Sequence, residues 1–215
     1  MHRSLKLLAC GAALMLSASE ARAALINDAA GDFISTYNAA APRAGDLDVI
    51  RAEVTFDGSV FRLFAEFNGA VGLTPEAIYV WGFDRGQGAI RSNFAAIGHA
   101  GVAFDSVLVI QNEGNGVIND LAGISPQVAF GTGASTIVGN TIETIIPLAS
   151  LPSRGFAPSD YTWNLWPRFP NVAGTSAIAD FAPDNSMERV STVPEPGTLL
   201  LMGSGLLAFA RRRRR

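Results

Sequence analysis

The chain has 215 residues, with 16 basic and 19 acidic side chains, a net charge of -3, 48% hydrophobic residues and one cysteine. That length holds one domain of ordinary size beside targeting segments. The acidic balance argues against nucleic acid, whose phosphates need a basic patch, and a lone cysteine excludes an intramolecular disulfide.

The chain begins with Arg3 and Lys6, an apolar run over 7–16, and small residues ending in Ala21-Arg22-Ala23. Charge, apolar run and small-x-small site in that order predict a secretory signal peptide over 1–23, cut after Ala23. Cys10 leaves with it, because the apolar stretch between Lys6 and Cys10 is too short for a lipoprotein leader.

Residues 24–183 are expected to form a single antiparallel β-sandwich, jelly-roll or immunoglobulin-like. Ile50, Ala52, Val54 and Phe56 alternate with Arg51, Glu53 and Thr55, the period of a half-buried strand. Asp57-Gly58 supplies a two-residue hairpin turn whose positions both tolerate positive φ. Phe61, Leu63, Ala65 and Phe67 then continue on a partner strand, opposite Arg62 and Glu66. Further strands are expected over 78–83, 102–110, 136–138, 141–146 and 161–166, with a tight turn at Gly139-Asn140. A single helical turn is expected at 148–151. Many short strands with glycine-rich connections and no amphipathic helix indicate a sandwich. Residues 184–192 are mostly polar and are expected to be an extended linker.

The chain ends with Val193-Pro194-Glu195-Pro196-Gly197-Thr198, an apolar run over 199–210, and Arg211, Arg212, Arg213, Arg214 and Arg215. The apolar run falls short of the roughly 20 residues of a spanning helix. The arginines act as a membrane stop on the cytoplasmic side. Motif, apolar stretch and basic end together resemble, over 193–215, the PEP-CTERM sorting domain of Gram-negative bacteria that make exopolysaccharide. The resemblance implies a transient inner-membrane intermediate, cutting near Pro194-Glu195-Pro196 by an exosortase-type protease, and delivery to the cell surface or extracellular matrix.

Leader and tail take with them Arg3, Lys6, Arg22, Glu20, Glu195 and the five terminal arginines, leaving 8 basic and 17 acidic residues, net -9, with no cysteine and no lysine. His99 is then the sole histidine. This inventory excludes a Cys-His pair and a multi-histidine zinc site. No nucleophile-elbow motif accompanies His99, which reads as an exposed loop residue, so the domain is expected to be non-enzymatic.

Carboxylates are the richer feature. Asp28 and Asp32 flank Ala29-Ala30-Gly31, Asp46 and Asp48 follow Gly45, and Asp84 ends a strand. Hard oxygen donors clustered in loops suit calcium; the alternative is turn and capping aspartates. Tyr79, Trp81, Tyr161, Trp163 and Trp166 fall in two strands, where rings stack on sugars or fill a core. Tyr79, Trp81 and Trp166 are the candidate carbohydrate-binding residues. A glycan hydrolase with paired carboxylates is the enzymatic alternative, although Glu143, in an alternating strand, reads as an outward surface group.

The order of these elements, from Asp28 and Asp32 through Gly45-Asp46-Leu47-Asp48 and a hairpin to Glu143, Ile146-Pro147-Leu148 and a late aromatic strand, resembles family-nine carbohydrate-binding modules and related DOMON-like sandwiches. That resemblance implies sugar binding, often with structural calcium. Haem, bound by other members, is disfavoured because the region lacks a convincing Met and His ligand pair, His99 being its sole histidine.

Overall fold

A computed structural model describes residues 25–87, 92–121, 123 and 125–193. The expected leader over 1–23, the sorting motif Pro194, Glu195 and Pro196, the apolar run and Arg211 to Arg215 lie outside the described residues.

The described chain is all-β, with short 3-10 turns and no α-helix. The strands are β1 (Ile26–Asn27), β2 (Val49–Phe56), β3 (Val60–Phe67), β4 (Ile78–Asp84), β5 (Ser92–Phe94), β6 (His99–Phe104), β7 (Ser106–Gln111), β8 (Gly116–Asp120), β9 (Val128–Phe130), β10 (Ser135–Val138), β11 (Thr141–Pro147), β12 (Thr162–Arg168), β13 (Glu188–Arg189) and β14 (Ser191–Thr192). One sheet runs β1-β2-β3-β11-β10, with β14 also on β2; the other runs β13-β12-β4-β7-β8-β9. All pairings are antiparallel except β14 on β2. Strands β5 and β6 form a separate hairpin.

The two sheets pack face to face through aromatic rings. Phe67 of β3 meets Tyr79 of β4 at 4.8 Å between centroids, and Phe61 meets Tyr161 at 5.6 Å and Phe83 at 6.3 Å. Burial of Val54, Leu63, Trp81, Leu108, Trp163 and Leu165 completes this interior, and the hydrophobic effect acting on it is the main source of stability in a domain without disulfides.

The hairpin of β2 and β3 forms where expected, with two local differences. Register shifts between Val49 and Arg51, a β-bulge at Ile50, so the inward set is Val49, Ala52, Val54 and Phe56, and Ile50 is half-buried. At the turn, Gly58 alone takes positive φ, +98°. Asp57 stays on the strand side, its N–H donating to the Val60 carbonyl while its carboxylate accepts from Ser59 N, Ser59 Oγ and Val60 N. The central pair is therefore Gly58-Ser59, because Asp57 is held by its own side chain.

The expected run over 102–110 is two strands, β6 and β7, separated by Asp105. The tight turn at Gly139-Asn140 and the 3-10 turn Leu148–Ser150 form as expected. The linker expected at 184–192 is instead part of the sandwich: β13 pairs with β12, β14 pairs with β2, Val190 is buried, and Val193 N donates to Phe56 O at 3.0 Å. Edge strands this short show one buried apolar residue among polar ones, so their composition resembles a linker.

Candidate metal centre

The bulge in β2 is where the acidic residues converge. Gly31 turns the loop after β1 at φ +85°, a conformation open to glycine at little cost, and points its N–H at Asp48 Oδ2, 2.8 Å away. Asn68 Nδ2 donates to the same oxygen at 2.9 Å. Asp48 is 1% exposed, and its other oxygen, Oδ1, is buried without a hydrogen-bond partner. From the far end of the chain comes Asp180, fully buried, accepting from Val49 N at 2.8 Å and Phe181 N at 2.7 Å.

Asp32 ties two triads together. Oxygens of Asp32, Asp48 and Asp180 lie within 4.8 Å of one another, as do oxygens of Asp28, Asp32 and Asp184. Asp28 holds one oxygen against Ala29 N at 3.1 Å, while its Oδ2 is buried and unpartnered. Asp184 is positioned by β6, since His99 Nδ1 bonds its carbonyl and Gly101 N donates to Asn185 Oδ1 at 3.0 Å. His99 is thus no isolated loop residue: its ring packs on Phe181 at 4.5 Å.

Burial is the main cause of the electrostatic strain, and neighbouring carboxylates add to it. Asp28 is pushed up to about 7, by burial first and then by Asp32, Asp184 and Asp48. Asp180 rises to about 8, again through burial first, with Asp28 and Asp32 adding repulsion. Asp32 is raised by burial and by Asp184 and Asp48. A divalent cation removes this strain directly. Two oxygens that each sit about 2.4 Å from one ion are at most about 4.8 Å apart, a limit that both triads meet, so each is compatible with a shared calcium ion. An all-carboxylate set without nitrogen or sulfur suits a hard cation rather than zinc.

Of the five expected ligands, Asp28, Asp32 and Asp48 are brought together. Asp46 and Asp84 are not. Asp46 is fully buried and accepts from Thr74 N at 2.6 Å and Thr74 Oγ1 at 2.8 Å, pinning the loop before β4. Asp84 accepts from Gly86 N at 3.2 Å and stands near a different cluster, in which buried Arg85 joins Asp105 at 2.6 Å and Asp120 at 2.9 Å, and Arg154 reaches Asp105 at 2.9 Å. Asp180 and Asp184 were not anticipated. The signal for Asp180 is a lone acid within the apolar run Ile178-Ala179-Asp180-Phe181-Ala182.

The aromatic candidates are interior. Tyr79 and Trp81 are 0% exposed and Trp166 2%. Tyr79 and Trp81 fill the space between the sheets. Trp166 lies on the outer face of its sheet, under Phe94, Phe104 and Phe181, so the three present no open stacking platform. Glu143 is exposed, as expected. It is in register with Phe64, which is in register with Glu53 across the next strand. Glu53, Phe64 and Glu143 share a shallow cavity of about 280 Å³ with Arg62 and Ile145.

Among the described residues, no helix is long and apolar enough to cross a membrane. A search of curated proteins returns no match to the chain. Residues 192–215 match the family model described as the PEP-CTERM protein-sorting motif, and the match begins within β14. The chain carries a PEP-CTERM sorting motif directly after a β-sandwich, which implies export, processing by an exosortase and a surface or extracellular destination.

Proposed function

We propose that the exported domain is a non-enzymatic surface or matrix module, held together by calcium and placed among exopolysaccharide. The observation that carries the calcium reading is Asp48, almost wholly buried with an unpartnered oxygen inside a cluster of four further aspartates. An uncompensated buried carboxylate is costly, and a hard cation supplies the missing partner. The likeness of the domain to sandwiches with structural calcium supports the same reading. Titration of chelator-treated protein with calcium in a calorimeter tests it: heat of binding and a raised Tm are expected, whereas a Tm equal in calcium and in chelator refutes it.

Contact with polysaccharide is assigned to the open face of the β1-containing sheet, where half-buried Phe64 stands between Glu53 and Glu143. A ring flanked by polar groups suits the face and hydroxyls of a sugar. Glycan-array binding lost in Phe64→Ala is the expected result. The same pair of acids favours a second reading, a glycan hydrolase, because burial raises Glu53 toward a proton donor while Glu143 stays open to solvent. Release of sugar products that stops in Glu143→Gln selects that reading over the first.

A further inference from the structure

The outer face of the sheet formed by β12, β4, β7 and β8 carries a cavity that shares no lining residue with the acidic cluster. Trp166, Val80 and Val109 form one row across the three central strands, and Arg168, Ile78 and Gln111 form the next. The β5–β6 hairpin covers one end of this face through Phe94 and Phe104, and the segment from Gly174 to Ile178 walls one side. Between them remains a cavity of about 380 Å³, floored by Val80, Val109 and Trp166 and bordered by Leu121, Ile178 and Arg168. That is within the ordinary range for small-molecule pockets, roughly 300–1,000 Å³.

Among the described residues, Arg168 is the one charged side chain bordering this apolar space. Its Nη2 donates to the Gly174 carbonyl at 3.0 Å, but Nε is buried without an acceptor. Among the described residues it makes no ion pair, in contrast to buried Arg85 and half-buried Arg154, which are both salt-bridged. Partial burial lowers its pKa. Nη1 makes no hydrogen bond among the described residues, and a guanidinium with an unused donor suits a carboxylate.

We propose that this cavity binds a small amphiphilic carboxylate, with an aliphatic or aromatic body on Val80, Val109, Leu121 and Ile178 and its carboxylate on Arg168. The aliphatic lining favours an apolar body over a sugar, whose hydroxyls would find few partners there. The net negative charge of the domain disfavours a polyanion and leaves Arg168 as a local anchor for a single negative group.

The test uses the processed protein as recovered from the medium, titrated calorimetrically with decanoate below its micelle concentration, and in parallel with decanol and glucuronate. Decanoate is expected to bind with saturation. Arg168→Gln should weaken decanoate about tenfold or more while leaving decanol nearly unchanged, because only the carboxylate uses the guanidinium. Val109→Phe, which fills the floor, should weaken both. Failure of decanoate to bind, equal decanoate affinity in Arg168→Gln, or uptake of glucuronate in preference to decanoate would each overturn the proposal.

Discussion

Asp32 and Asp180 offer carboxylate oxygens within 4.8 Å of one another although they come from opposite ends of the domain. One belongs to the loop after the first strand, the other to the segment before the last two. A cation bound between them, as proposed, would join the loop after β1 to the segment before β13, and its removal would loosen both.

This juxtaposition sets a pH dependence. Asp28 and Asp180 titrate near 7 and 8 in the folded chain, against 3.8 for an unperturbed aspartate. Between about pH 4 and pH 8 the folded state therefore binds more protons than the unfolded state, and stability without cation falls as pH rises through that window. Calcium needs the ionised groups, so its stabilisation grows over the same range. Thermal melts at about pH 5 and about pH 8 should show Tm falling in chelator and a calcium increment that is larger at the higher pH. A chelator Tm that climbs with pH contradicts the assignment.

Asp48→Asn separates charge from packing. The amide retains an oxygen for Gly31 N and Asn68 Nδ2 and places its NH2 at the position of Oδ1, which is buried without a partner. Without calcium the variant should be more stable, on the order of 1 kcal/mol, since one pKa unit of relieved repulsion is worth about 1.4 kcal/mol. The calcium response should shrink or vanish. Urea denaturation in chelator and in calcium reads both effects, and a variant less stable than the parent in chelator would show that Asp48 acts only as a structural acceptor.

The residues that were legible in the sequence are those governed by local period and turn chemistry. The alternation around Val54 and Leu63 encodes the central hairpin, and Gly139-Asn140 encodes the turn between β10 and β11. Three of five site aspartates were visible because they sit in glycine-flanked loops. Asp180 and Asp184 were hidden because their role depends on a long-range approach, and because edge strands such as Glu188–Arg189 bury too little to show a period. Trp81 and Trp166 show the opposite difficulty: both faces of β4 and β12 are covered, so alternation does not distinguish an open ring from a buried one.

Arg85 anchors the opposite structural feature, a fully compensated buried charge. Its guanidinium joins Asp105 and Asp120 and donates to the Pro152 carbonyl, and Arg85 is 1% exposed. Arg85→Ala leaves these acids with a buried deficit and should cost about 3–5 kcal/mol in chemical denaturation. A loss below about 1 kcal/mol would mean that Arg154 alone neutralises Asp105.

Gly82 lies beneath the Trp166 ring. A Cβ there would stand 2.5 Å and 2.6 Å from two ring carbons, and the ring is hemmed in by Phe94, Phe104 and Phe181. Gly82→Ala should therefore destabilise by about 1–3 kcal/mol through overpacking, visible as a lowered denaturation midpoint with changed tryptophan fluorescence. An unchanged midpoint would require the ring to shift into the cavity beside Arg168, which decanoate binding would then report as weakened.

The pairing of the residues just before the sorting motif bears on sorting. Val193 is still bonded to Phe56, and the matched motif begins at residue 192, so Pro194-Glu195-Pro196 follows in sequence directly on a bonded residue of the sandwich. A membrane-embedded protease that cuts near this motif works within a few residues of the β14–β2 pairing, and detachment of β14 would widen its access. A flexible glycine-serine spacer between Val193 and Pro194 should therefore speed conversion of precursor to the form lacking Arg211 to Arg215. Pulse labelling with mass spectrometry of the cell-bound and released protein measures this. Equal rates with and without the spacer would show that β14 detaches faster than the protease acts, and an intact arginine end on every released copy would show that the tail is not processed.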